Sequence, residues 1–211
     1  MSAFGERPGH EAQVAYARRR KSGLEVPLKG RFYGEAKYLV FSPPLWHEVL
    51  VGLCIGGGAI ATLMNLMGRD VPGGLFTTVG VLFGGLWGAF SNERMICNLR
   101  TRTYVRYEGF GPGRRVLKGN LAELDVVVLT SEQYGTSLIS AHVFYRLVIY
   151  WKGMRHPPLV AEKEGRYVPF GAPLNYAAGR MLHQGMRYAQ ALQVPYYDNS
   201  NMSGRSPVPL V

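Results

Sequence analysis

The clearest pattern along the chain is where charge stops. Residues 49–68 contain no Asp, Glu, Lys or Arg, and after Arg69 and Asp70 residues 71–92 are again free of charge. At about 1.5 Å per residue the first window makes roughly 30 Å of helix, the thickness of a bilayer's hydrocarbon core. Residues 73–90 of the second give about 27 Å by the same rise, near the short limit. Helices of a soluble core usually keep a polar face, and neither window has one. The pattern therefore predicts a membrane α hairpin of two transmembrane helices over residues 45–90, with a tight turn at residues 68–73. Pro43 and Pro44 stop a helix from entering on the N-terminal side. Trp46, His47 and Trp87 sit at the ends of the windows, where aromatic rings favour the headgroup level, and are expected to be interfacial anchors.

Beyond residue 90 the period shortens. Residues 94–99 and 103–108 read as two short strands, 114–118 as a third after a Gly/Pro turn, and 124–130 as a β-branched fourth. Residues 131–141 read as a long polar loop. Val143, Tyr145, Leu147, Ile149 and Trp151 then alternate with more polar neighbours as a fifth strand, and residues 158–162 return as a sixth. After Pro173 the spacing of Leu174, Ala178, Met181, Leu182, Gly185, Ala189 and Leu192 marks one face of a helix that Pro195 ends. Strands followed by one amphipathic helix predict an α+β cytoplasmic domain: a bent antiparallel sheet of pleckstrin-homology-like type, capped by its C-terminal helix. The expected organisation is a basic cytoplasmic N-terminal arm (1–44), the hairpin (45–90), the β domain with its helix (91–195) and an extended tail (196–211).

Charge supplies orientation. The chain has 211 residues, 24 basic against 14 acidic, for a formal net charge of +10. Residues 1–44 hold eight Lys/Arg, and Arg94, Arg100, Arg102 and Arg106 follow the second window, whereas the connecting turn has only Arg69. Cytoplasmic loops carry the basic excess, so both termini are expected in the cytoplasm of a multi-pass protein of a bacterial inner or photosynthetic membrane. Arg18, Arg19, Arg20, Lys21, Arg114 and Arg115 are candidates for contact with anionic lipid or an acidic partner subunit. A membrane tether accounts for the basic excess without nucleic acid, which is not an expected partner. The two cysteines form no CxxC pattern, which excludes a disulfide scaffold and a thiolate metal cage.

Glycine is the next signal. Gly52 and Gly56 recur four apart in the first window, and Gly80, Gly84 and Gly88 recur at fours in the second. Small residues at this spacing let helix backbones approach closely in lipid, where packing drives association. These five are the candidate helix-packing residues, used between the two helices or toward another membrane protein or pigment.

Catalytic constellations are not legible. His10, His47, His142, His156 and His183 show no metal-ligand spacing, and there is no Walker motif, no GxSxG and no GxGxxG after a strand. No catalytic or metal-binding residue is expected and no cofactor is required, although a bound chlorophyll-type pigment or lipid is compatible with the windows.

Three segments carry a resemblance. The Pro72-Gly73-Gly74 start and the Gly80, Gly84 and Gly85 of the second window are similar to a proline-led, glycine-bearing span. The run Arg102, Arg106, Gly109, Phe110, Arg114 and Arg115 resembles a basic strand with a Gly-Phe turn and paired arginines. The ending Leu192-Gln-Val-Pro195 is the third. Together they resemble the small two-span photosystem I assembly protein family of thylakoids, within membrane-tethered bacterial pleckstrin-homology-like proteins. The resemblance implies a non-enzymatic protein that holds integral membrane subunits, as assembly factor or as accessory subunit of a photosystem or reaction centre. The other expectation is a membrane-anchored module that binds lipid headgroups or a peptide partner.

Overall fold

The structure, a computed structural model, describes residues 28–68, 73–90, 93–108, 114–136, 140–153 and 156–200. Strands β1 (Lys29–Tyr33) and β2 (Tyr38–Ser42) come first, followed by helices α1 (Leu45–Leu66) and α2 (Gly74–Phe90). Strands β3 (Arg94–Asn98), β4 (Thr103–Glu108), β5 (Arg115–Asn120), β6 (Leu124–Thr136), β7 (Ser140–Trp151) and β8 (Leu159–Pro169) follow in turn. Helix α3 (Gly179–Leu192) and strand β9 (Tyr196–Asn199) complete the described chain.

Two sheets result. One is antiparallel in the order β1-β2-β3-β4-β5; the other runs β8-β7-β6-β9, with β9 parallel to β6. The expected fold class is thereby corrected. Among the described residues only α1, at 22 residues, is long and apolar enough to cross a membrane. At 17 residues α2 makes about 26 Å and falls short of the roughly 20 residues a crossing needs. The helix is one residue shorter than the expected 73–90, because Gly73 has a φ of 91°, outside the helical region. In place of one bent antiparallel sheet with a helical cap there are two sheets, one of them mixed.

Part of the expected arm is structural. Residues 34–36 turn the chain with three consecutive positive φ values (58°, 54° and 63°), which pairs β1 with β2 in register from Tyr33↔Tyr38 to Lys29↔Ser42. Leu39 and Phe41 of β2 are fully buried. The residues expected to be a polar loop continue β6 to Thr136 and open β7 at Ser140, and β9 takes the first residues of the expected tail.

One core joins both sheets and α3. Leu39, Phe41, Met95, Cys97 and Tyr104 of the first sheet meet Leu129, Val143, Tyr145, Leu147, Ile149 and Trp151 of the second. Met181, Ala189 and Leu192 of α3 close it, on the face the spacing marked, together with Tyr188, which the spacing did not mark. Val126, Val128, Val148 and Tyr150 form a second buried cluster, which makes β7 buried on both sides. The end of α3 is held from a distance: Gln193 turns left-handed, and the Arg102 guanidinium donates to the Leu192 carbonyl at 2.8 Å. A cation there meets the negative end of the helix dipole.

Helices α1 and α2 pack closely on each other. A Cβ built on Gly58 would lie 2.7 Å from the Leu82 backbone nitrogen, and one on Gly85 would lie 2.9 Å from the Cys54 Cβ. Near the turn, the Asn65 amide donates to the Thr78 hydroxyl at 3.4 Å and to the Ala61 carbonyl at 3.1 Å. A disulfide needs Cβ atoms about 3.5–4.5 Å apart, so a slight opening of the pair admits one. Mild oxidation of Gly85→Cys is therefore expected to join residue 85 to Cys54, read as a shift on a non-reducing gel. Gly84→Cys, facing open space, should stay reduced; bonding at 84 but not at 85 would refute the packing.

Candidate functional site: the helix pair and its foot

The site begins with topology. Strands β2 and β3 are hydrogen-bonded neighbours, with Phe41 opposite Met95. Helix α1 starts three residues beyond Ser42, after Pro43 and Pro44, and α2 ends shortly before Arg94. The pair therefore leaves and returns at one end of the five-stranded sheet, its foot.

The pair's outward surface is apolar. Leu45, Val49, Leu53, Ile60, Leu63 and Leu66 of α1 and Phe76, Val81 and Phe83 of α2 are exposed, Phe76 at 94%. Contiguous exposed apolar surface marks a contact with lipid or with another protein. Trp46 (62% exposed) and Trp87 (61%) lie at the foot end of their helices, Trp46 with its ring edge-on to His47 at 5.7 Å.

The candidate packing glycines divide. Only Gly88 faces the neighbouring helix, where a Cβ would meet Val51 at 3.2 Å. Gly52, Gly56, Gly80 and Gly84 have nothing within 4 Å of such a Cβ. The close approach is made instead by Gly58 and Gly85, which the search for four-residue steps passed over. The signal was present in the glycine runs Gly56-Gly57-Gly58 and Gly84-Gly85, which put small residues on adjacent faces of each helix. The four open glycines are faces that this pair does not use.

Above the foot lies a buried charge. Arg106 of β4 is fully buried, and its Nε and Nη2 both donate to Glu93 Oε1, at 2.8 and 2.5 Å. Its Nη1 donates to the Pro157 carbonyl at 2.6 Å, and Glu108 lies 3.9 Å away. The guanidinium stacks over the Trp151 ring at 4.6 Å. The Trp151 indole N–H donates to the Tyr104 hydroxyl, which in turn donates to Glu123. Burial, ahead of the Glu123 charge, pushes the Tyr104 hydroxyl up to about 12. The other Glu123 oxygen accepts from the Asn120 backbone and closes a capping box. The network pins β4 to the second sheet.

The remaining sequence candidates lie as follows. Arg114 stacks over Tyr107 at 4.8 Å, and Arg115 pairs in register with Glu108 at the end of the sheet's last strand. Arg18, Arg19, Arg20 and Lys21 lie outside the described residues. Burial raises the Cys97 thiol well above its usual range, which leaves it inert. Among the described residues, no three His, Cys, Asp or Glu side chains converge to hold a metal ion.

Comparison with models of known protein families finds no match to this chain, and comparison with curated proteins finds no similar sequence.

Proposed function

We propose that this is a non-enzymatic membrane-anchored protein that serves as an accessory or assembly subunit of a larger membrane complex. The observation that carries the reading is the exposed apolar surface of the α1–α2 pair, tethered through β2 and β3 to one end of a folded sheet. Lipid covers the outward face of α1, whose 22 residues are enough to cross a bilayer. The faces at Gly52, Gly56, Gly80 and Gly84 admit the backbone of a partner helix, because small residues permit close approach. The resemblance to the photosystem I assembly proteins supports a photosynthetic complex as the setting. The sheets, with their rigid two-layer core, then present a fixed surface to that complex on one side of the membrane.

The test is photocrosslinking in native membranes. A photoreactive phenylalanine at position 56 or 84 is expected to yield adducts with a second membrane polypeptide, whereas one at exposed Lys118 should not. Carbonate extraction should leave the protein in the pellet. Release into the supernatant, or helix positions that give no protein adduct, would overturn the reading.

A further inference from the structure

We infer that the foot of the five-stranded sheet is a contact surface for anionic phospholipid headgroups; this deepens the membrane-anchored reading and rests on it. The strand registers carry the inference. Lys29 pairs with Ser42, Arg94 with Tyr107, and Arg115 with Glu108, which brings Lys29, Arg94 and Arg115 to the same end of the sheet. That is the end from which α1 and α2 emerge. All three side chains are exposed, and among the described residues none of them engages a carboxylate. Arg114 lies beside them, and the Arg31 guanidinium reaches toward the same end, donating to the Pro43 carbonyl at 3.4 Å.

Three carboxylates lie at this end. Glu93 and Glu108 flank the buried Arg106, and Glu48 stands in the first turn of α1. With Arg106 these three carboxylates sum to two negative charges, against which stand four cations: Lys29, Arg31, Arg94 and Arg115. Trp46 and Trp87 mark the level just beyond. From Ser42 to Trp46 the chain spans at most roughly 12 Å, three extended steps and the first step of a helix. With the indoles at the interface, the cations therefore lie within about one screening length of the headgroup phosphates. Tryptophan below and a cationic rim above match the order of layers in an anionic membrane surface. None of the three residues is near the others in sequence; the sheet assembles the surface.

The experiment uses the full chain reconstituted into phosphatidylcholine vesicles that contain a small fraction of pyrene-labelled lipid. Energy transfer from Trp46 and Trp87 reports which lipid lies against the foot, with Trp151 as a constant background. Pyrenyl phosphatidylglycerol is expected to accept about threefold more transfer than pyrenyl phosphatidylcholine at low salt. That preference should vanish in about 1 M salt, where screening falls to roughly 3 Å. The triple variant Lys29→Gln/Arg94→Gln/Arg115→Gln should lose it while keeping the same circular dichroism. Equal transfer from both lipids to the wild type, or a preference retained in the folded triple variant, would overturn the inference. Absence of transfer from either lipid would instead refute membrane insertion, so the two failures are distinguishable.

Discussion

Arg106→Met is expected to destabilise the protein by about 3–5 kcal/mol, the cost of removing one partner from a buried ion pair. The substitution removes the cation over Trp151 and leaves Glu93 and the Pro157 carbonyl without their donor. Methionine fills most of the volume, so the loss reports electrostatics more than a cavity. The double variant Glu93→Gln/Arg106→Met should recover a substantial part, because an apolar side chain beside a neutral amide strands no charge. Denaturant unfolding of the four members of this cycle gives the coupling directly. Additive losses would show that Glu93 and Arg106 do not act as a pair.

The second large effect is expected at Gly30. A Cβ there would lie 2.5 Å from the Tyr188 ring, and that ring cannot easily move. The Tyr188 hydroxyl donates to Glu162 at 2.8 Å and lies 3.1 Å from the Gly30 carbonyl; Phe41 packs edge-on at 5.2 Å. Glu162 is itself buried and receives Arg180 at 3.3 Å. Gly30→Val should therefore cost about 3 kcal/mol or more, combining overpacking with the loss of a hydrogen bond to a buried carboxylate. Tyr188→Phe, which keeps the ring and loses only the hydroxyl, should cost about 1–2 kcal/mol. An unchanged melting temperature in Gly30→Val would mean that β1 does not pack on α3.

These two sites show what the sequence could and could not disclose. Strands β3 to β8 and helix α3 were legible because their apolar residues recur at one clear period, as Val143 to Trp151 and Met181 to Leu192 do. The apolar windows were legible from the absence of charge. Strand β2 was not, although Tyr38-Leu39-Val40-Phe41 is a strong apolar run, because the surrounding lysines and arginines made the segment read as a basic arm. Strand β1, with Gly30 and Arg31 at its centre, has no intrinsic preference to betray it; it exists because Tyr188 and β2 provide a surface for it. The shortness of α2 was already visible in the second window, whose helical part from residue 73 to residue 90 lies near the short limit for a crossing. The foot is the product of strand register. Arg94 and Arg115 were visible as charges, but their alignment with Lys29 follows only from pairing across four interstrand boundaries.

The neighbouring placement of β2 and β3 has a kinetic consequence. Those strands zip together only if the ends of a segment running from Pro43 to Glu93 meet, and closing a flexible loop of that length carries a substantial entropic cost. Association of α1 with α2 folds the segment back on itself and brings its ends side by side, which removes most of the closure cost of pairing β2 with β3. Helix docking thus acts as the clasp that licenses sheet formation, and a chain whose helices are kept apart would be left with two half-ladders, β1-β2 and β3-β4-β5, each with an open edge.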